Sequence, residues 1–399
     1  MKPIIVSNWR VLSSKRFSKQ ASQKSIVTFG YSEKSLCFSP DRFLKEGFVL
    51  RMMRVAWLSG RVLGDDLCGT TQFSLSNGMV EMGLDVILYS PGRMTTANFK
   101  HIRIDRGSVK GLHSWRIVRA LHNHIESINS ADHVLVDWRL HAITPLLTGN
   151  WTLVDRGPPA DQGVLSLFQH QQWKRGWKKA RQGTAVSTAH ANYIHHETGM
   201  DIENISVIPA GVDVARFTPG IKKGVLKMAY QGQIDAHRGV LMLPKILIHL
   251  QEKGIEVSLH FHGDGDAAEK IRNMGISGLE ITSPVDSDEL AMLQSEYDVG
   301  FLPMPDRNIW RLASPLKRSE YLASGMVVCG IDHTGHHLPK SEQWLQLFQE
   351  EQFVEKCVEW LAEIKRCELL LLQQAARRYA ERHLSWNNSV QILVDRISQ

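Results

Sequence analysis

The alternation of short apolar runs with longer amphipathic stretches is the feature that most restricts what this chain can fold into. Runs rich in β-branched residues, such as RVAWLS at 54–59 and DVILYS at 85–90, are followed by stretches of helical period. The pattern begins again near Lys227 with LKMAYQG and continues through EVSLHFHG and MVVCGI. Strands that alternate with helices build parallel sheets covered by helices. The sequence therefore predicts two α/β domains in tandem.

The segment VIPAGVDVARFTP at 207–219 separates the two halves. Pro209 and Pro219 restrict the backbone, and Gly211 permits a tight reversal. We interpret residues 207–222 as the interdomain linker, which leaves 53–206 and 223–384 as the two domains. A length of 399 residues fits two hydrophobic cores better than one.

The net positive charge of the chain is concentrated in its first 50 residues. Residues 1–50 hold nine Lys/Arg against three acids, and this excess equals the +6 net charge of the whole sequence. Nucleic-acid binding by the folded part is therefore disfavoured. We interpret residues 1–52 as a basic, serine-rich extension outside the fold. Three explanations remain open: an upstream start codon with the true start at Met52 or Met53, a disordered tail, or a transit peptide.

The cysteines and the hydropathy indicate the cellular compartment of the protein. Five scattered cysteines without a CxxC pair favour neither a disulfide framework nor a zinc site. No apolar run is long enough to cross a bilayer. These observations predict a cytoplasmic protein.

The strongest local signal for a site is ASPLKRSEYLASG at 313–325. Ser314 suits an N-cap, Pro315 the first helical position, and Gly325 the position after the helix. Lys317 near the first turn and Glu320 on the same face would suit a phosphate and a ribose diol. A solvated helix with an ordinary Lys/Glu pair is the alternative.

Two glycine-punctuated loops follow predicted strands. In YQGQIDAHRGV at 230–240, Arg238 lies between two glycines and could fork onto a diphosphate. The loop GRVLGDDLCGT at 60–70 could meet an anion at the start of the next helix, or be a flexible loop without a ligand. Its spacing is not GxGxxG, so a dinucleotide enzyme is disfavoured.

The histidines raise the possibility of a metal site, and the tryptophans raise that of a membrane-surface helix. His260 and His262 alternate on a predicted strand, but no carboxylate or cysteine has a recognised ligand spacing, and we expect no metal. In QHQQWKRGWKKARQG at 169–183, Trp173 and Trp177 share a helical face among basic residues. This segment is either a membrane-surface helix or a helix whose tryptophans pack against the first-domain sheet.

Five stretches together carry a family resemblance over roughly 53–399. They are VIPAGVDVARFTP, YQGQIDAHRGV, HGDG at 262–265, SPLKRSEYLASGMVV and LSWNNSVQIL near the C-terminus. In order and spacing the chain resembles the retaining glycosyltransferases of the GT-B fold, family 4-like (glycosyl transferases group 1). The resemblance implies an α/β protein with two Rossmann-like domains whose parallel sheets face each other across a cleft, and a helix at 385–399 that crosses back onto the first domain.

The resemblance also implies an activity and a set of binding residues. Such proteins transfer a sugar, here a hexosyl group, from a nucleotide-diphosphate sugar to a glycan, lipid-linked or small-molecule acceptor with retention. The donor-binding residues it implies are Gly69, Thr70, Gln233, Arg238, Ser314, Leu316, Lys317 and Glu320. Three departures stand out. Gln233 replaces the arginine of a Gly-Arg pair, and Leu312 replaces the first of two acids. Where a histidine usually follows a first-domain strand, this chain has Asp137, or Asp155 with Arg156.

Catalytic candidates come from the first domain. Asp155 and Arg156 follow a predicted strand, and we favour them for sugar or acceptor hydroxyls; His141 is a lesser candidate. A structural Asp-Arg pair is the alternative, with a packed or surface histidine for His141. The family mechanism implies neither a protein nucleophile nor a cofactor. A non-catalytic nucleotide-sugar-binding protein and a sugar-nucleotide epimerase remain open as other functions. A lipid-linked acceptor would place the protein at the inner face of a membrane.

Overall fold

The computed structural model describes residues 52–64, 67–92, 97–109, 111–159, 164–222, 224–339 and 343–399. The predicted extension at 1–52 lies outside these residues except for Met52. In the described part, two sheets are present, one of seven strands and one of six. All strand pairs in both sheets are parallel. This is the predicted GT-B architecture of two Rossmann-like domains.

The first sheet has the order β3-β2-β1-β4-β5-β6-β7. Its strands are β1 (Arg54–Leu58), β2 (Asp85–Ser90), β3 (Lys100–Arg103), β4 (His133–Asp137), β5 (Asn150–Val154), β6 (Gly183–Ala185) and β7 (Ile205–Val207). The associated helices are α1 (Leu67–Glu81), α2 (His113–Leu121), α3 (Ile125–Asn129), α4 (Val164–Lys179) and α5 (Thr188–Thr198). Strand β4 is buried at every residue, as expected of a central strand covered on both faces.

The second sheet has the order β10-β9-β8-β11-β12-β13. Its strands are β8 (Leu226–Gln231), β9 (Val257–His262), β10 (Leu279–Thr282), β11 (Val299–Leu302), β12 (Val327–Ile331) and β13 (Leu345–Phe348). The helices that follow are α6 (Leu243–Glu252), α7 (Ala268–Arg272), α8 (Ser287–Ser295), α9 (Asn308–Arg311), α10 (Leu316–Ala323), α11 (Phe353–Glu363), α12 (Arg366–His383) and α13 (Trp386–Ile397).

Helix α13 lies against the first domain. Val390 packs so closely on α1 that a Cβ at Gly78 would lie 2.5 Å from its Cγ2. The Oγ of Ser389 donates to the carbonyl of Pro209 (3.0 Å), and the Nε of Arg396 donates to the Oγ of Ser206 (2.6 Å). The last helix therefore fixes β7 and the start of the linker to α1.

The linker is held by backbone and side-chain contacts. The N–H of Val212 donates to the carbonyl of Leu384 at 2.8 Å. The Arg377 guanidinium donates to the carbonyls of Val214 (2.9 Å) and Ala323 (2.7 Å). The expected reason for Gly211 is wrong: its φ is not left-handed, and a Cβ there would lie 2.6 Å from the Trp386 ring. Close packing, not a chain reversal, requires this glycine.

Candidate functional site

The candidate site lies where β8 ends and α10 begins. Gly232 follows β8 with φ 101°, a value that side-chain-bearing residues rarely adopt. A Cβ at Gly232 would lie 2.9 Å from both Cε and Nζ of Lys317. The glycine therefore lets the Lys317 side chain cross the loop.

Lys317 is held by an aromatic neighbour. Its Nζ donates to the Oη of Tyr230 at 3.1 Å and lies 4.2 Å from the centroid of that ring. Desolvation lowers the pKa of Lys317 to about 7; the charge of Arg238 lowers it further, and Glu320 opposes both. The charges of Lys317 and Arg238 are thus close enough to interact, and their predicted contact with a diphosphate stays a prediction.

Glu320 projects from the same helix and is oriented by amides. Its carboxylate accepts a hydrogen bond from the Nε2 of Gln231, whose Oε1 accepts from Gln294. The Oγ of Ser324 donates to the Oε1 of Gln294 at 3.0 Å and completes the chain. Burial raises the pKa of Glu320 to about 7. The two glutamines were missed from the sequence, because isolated amides carry no recognisable spacing.

Arg238 is positioned from three sides. It donates to the Oε1 of Gln233, its Nε lies 3.4 Å from the Oδ2 of Asp235, and its guanidinium carbon lies 5.1 Å from the centroid of the Trp310 ring. Gln233, which replaces an expected arginine, therefore orients Arg238 in this chain. Whether Gln233 also meets the donor stays a prediction.

The start of α10 differs from the expected cap. Pro315, and not Ser314, is the N-cap residue, and no side chain caps the helix. The Oγ of Ser314 instead accepts from the N–H of Ala210 (3.2 Å) and from Nη2 of Arg318 (3.2 Å). The N–H of Arg318 donates to the carbonyl of Pro315 (3.2 Å), whereas the N–H groups of Leu316 and Lys317, at the first two helical positions, precede any residue that has an intrahelical acceptor. An anion bound at this end would accept hydrogen bonds from these N–H groups and would be stabilised by the helix dipole.

The first domain reaches this region through α5. The Oγ of Ser187, the N-cap of α5, donates to the carbonyl of Leu312 at 2.8 Å. Leu312, which replaces an expected acid, is 7% exposed. An apolar side chain and an interdomain hydrogen bond thus occupy the place where the family pattern has a carboxylate.

Gly69 and Thr70 lie at the start of α1, in the chain that follows β1. Thr70 is exposed, and the donor contact predicted for the two residues stays a prediction. The loop before them is anchored by Asp137 at the end of β4. Its carboxylate accepts from the Oγ of Ser59 (2.5 Å) and the N–H of Gly60 (3.1 Å), and burial raises the pKa of Asp137.

The catalytic candidates of the first domain have structural partners. Asp155 is fully buried and accepts from the indole N–H groups of Trp173 (2.5 Å) and Trp177 (3.0 Å). Nη1 of Arg156 donates to the carbonyl of Ile208 at 2.7 Å. The Nδ1 of His141 lies 3.0 Å from the carbonyl of Trp138, and burial lowers its pKa. These contacts favour the structural alternative, and the assigned catalytic roles stay predictions.

The two tryptophans of 169–183 are also fully buried, so this helix packs them against the first sheet. The membrane-surface alternative, in which they face lipid, is not what the structure shows. None of the described helices is long and apolar enough to span a bilayer.

The strand histidines have hydrogen-bond partners. His262 bonds the hydroxyls of Thr282 (2.7 Å) and Tyr297 (2.8 Å), and His260 lies 3.1 Å from a carboxylate oxygen of Glu280. Across the described residues, no group of three or more His, Cys, Asp or Glu side chains is arranged to hold a metal ion. The expectation of no metal stays a prediction.

Comparisons with known proteins agree with this fold. Residues 69–216 match the model of Glycosyltransferase Family 4. A comparison with curated proteins finds no match. Several solved structures are similar at low identity.

Sucrose-phosphate synthase from Thermosynechococcus elongatus is 14% identical, with TM-score 0.71, covering 86% of this chain and 98% of that one. A glycosyltransferase from Rickettsia africae ESF-5 is 15% identical, with TM-score 0.66 and coverage of 87% and 98%. Anabaena HepE, in complex with UDP and glucose, is 10% identical, with TM-score 0.66 and coverage of 87% and 100%.

The fold defines a GT-B protein. Residues 69–216 are in addition similar to Glycosyltransferase Family 4.

Proposed function

We propose that this chain transfers a hexosyl group from a nucleotide-diphosphate sugar to an acceptor with retention of anomeric configuration. The observation that carries the proposal is the proximity of Lys317, Arg238 and Glu320 around the Gly232 loop. Two neighbouring cations in a desolvated setting repel each other. A bound diphosphate would attract both cations and outweigh their mutual repulsion. The carboxylate of Glu320 would accept hydrogen bonds from the ribose diol.

In the proposed reaction no protein residue forms a covalent bond to the sugar. The bond between the anomeric carbon and the diphosphate oxygen breaks, and a bond to the acceptor oxygen forms on the same face. The acceptor proton passes to the departing phosphate. Lys317, Arg238 and the first turn of α10 hold the leaving group and stabilise its developing charge. Because these groups neutralise the diphosphate, the proposal includes no metal or other cofactor.

The acceptor class extends from glycans and small molecules to lipid-linked sugars. The exposed cations of 169–183, including Lys178 and Lys179, support peripheral contact with a membrane, although the tryptophans of that segment are buried. We place the protein in the cytoplasm, at the inner face of a membrane. Since the solved structure of HepE contains UDP, uridine nucleotides are the first donors to test.

The experiment is calorimetric titration of the full chain with UDP, ADP and GDP. Glu320→Ala and Arg238→Ala each remove a charged hydrogen-bonding group worth about 1.5–3 kcal/mol, so each should weaken binding roughly 10- to 150-fold. Glu269→Ala and Arg272→Ala are matched controls, since both residues are exposed on α7, and they should bind as the parent does. Unchanged affinity in both site variants would refute the placement of the donor.

A further inference from the structure

One face of the first domain is strongly basic. Helices α2 and α4 both pack against the 3-10 segment Trp138–Leu146, on the sheet face opposite α1 and α13. The stretches 100–124, 138–146 and 164–183 hold twelve Lys/Arg and one acid, Asp105. We call the outer side of α2, together with Arg103 at the end of β3 and the loop residues 104–109 and 111–112, the α2 face.

The α2 face combines exposed cations with exposed apolar side chains. Arg103, Arg106, Arg116 and Arg119 are exposed. Among the described residues, no carboxylate forms an ion pair with any of these four arginines. Val109, Leu112 and Trp115 are 47%, 46% and 57% exposed.

The backbone arranges these groups on one surface. The N–H of Leu112 donates to the carbonyl of Val109 (3.3 Å), and the Nδ1 of His113 lies 3.0 Å from the carbonyl of Arg106. The loop is thereby folded onto the start of α2. Trp115 and Arg119 are one turn apart, and the guanidinium carbon lies 5.7 Å from the centroid of the indole ring.

The opposite side of α2 packs into the core of the first domain. Ile117, Val118 and Leu121 are buried in the core of the first domain. Trp115 and Leu112 are not among these buried residues, and exposed apolar side chains that cluster mark an interaction surface.

We propose that the α2 face binds an anionic lipid surface. Arginines flanking an exposed tryptophan and two aliphatic side chains suit the boundary between headgroups and acyl chains, where the apolar groups insert and the guanidinium groups meet phosphates. The basic segment 1–50 has the same sign of charge, which disfavours it as the occupant. This surface does not depend on the proposed transfer reaction.

The test is flotation of the full chain with vesicles of phosphatidylglycerol and phosphatidylcholine, or of phosphatidylcholine alone. The protein should float only with the anionic vesicles. The double variant R116Q/R119Q should lower the partition coefficient about 30-fold, because each cation near an anionic surface contributes about 1 kcal/mol. The control K270Q/R272Q removes two exposed cations from α7 and should bind as the parent does.

A second variant separates lipid from other polyanions. L112S/W115S keeps every charge and should also lose vesicle binding, while binding to heparin should stay unchanged. If R116Q/R119Q floats like the parent, another basic region such as 1–50 binds the lipid and the proposal is wrong. If L112S/W115S floats like the parent, the face is a general polyanion surface and the proposal is equally wrong. Thermal unfolding of each variant confirms that it is folded.

Discussion

Replacing Gly232 by alanine perturbs the candidate donor site at its narrowest point. The new Cβ would lie 2.9 Å from Cε and Nζ of Lys317, and φ at this position is 101°. The backbone strain costs about 1–3 kcal/mol of stability. The ammonium must also move away from Tyr230, which removes a charged contact to the diphosphate worth about 1.5–3 kcal/mol. We therefore expect UDP, or whichever nucleoside diphosphate binds best, to bind roughly 10- to 150-fold more weakly.

Gly275→Ala is a control that separates the effect of backbone strain from the effect of displacing Lys317. Gly275 lies in the same domain with φ 63°, and a Cβ there would meet nothing within 4 Å. Both variants should lower the melting temperature, but only Gly232→Ala should lose affinity in a calorimetric titration. Equal affinity of the two variants would refute the placement of Lys317 at the diphosphate.

Further predictions concern protonation and burial. Because desolvation lowers the pKa of Lys317 to about 7, the free protein holds this lysine largely uncharged at pH 8. A bound diphosphate raises the pKa, so binding at pH 8 should take up a proton, and affinity should fall as pH rises from 7 to 9. Calorimetry in buffers of different ionisation enthalpy measures this uptake, and an equal uptake by Lys317→Met would contradict it. Asp155→Ala should lower the melting temperature sharply, since two buried indole N–H groups lose their acceptor at about 1–3 kcal/mol each. A variant that keeps its melting temperature but loses turnover would instead support a catalytic Asp155.

The central strands could be predicted from the sequence because they consist mainly of apolar residues. Runs such as HVLVD and VVCGI are fully buried, as their composition indicates. Strands β3, β7 and β13 were missed: they lie at or beside sheet edges, they are short, and KHIR and LQLF mix polar with apolar residues. Edge strands need less burial, so hydrophobicity does not identify them.

The proximity of Lys317, Glu320 and Arg238 could be predicted from the sequence in part, because two of these residues share a helix and the third follows a nearby loop. Lys317 and Glu320 share a helix, and Arg238 follows a glycine loop, so their spacing carried the information. The amide chain through Gln231 and Gln294 joins residues 63 positions apart, which no local pattern reveals. Asp155 was interpreted from its strand-end position, but its two indole partners, 18 and 22 residues later, bury it.

The fate of the sugar in a reaction without added acceptor is the most direct test of the proposed activity. The full chain is incubated with the nucleotide sugar of the best-binding base, and proton NMR follows the anomeric signals from the first minutes, with water as the acceptor. Retaining transfer predicts that the released sugar first appears with the anomeric configuration of the donor, and that Glu320→Ala suppresses its release. First appearance of the opposite anomer would contradict retention. Conversion of the donor into another nucleotide sugar, with no sugar released, would contradict transfer and identify an epimerase.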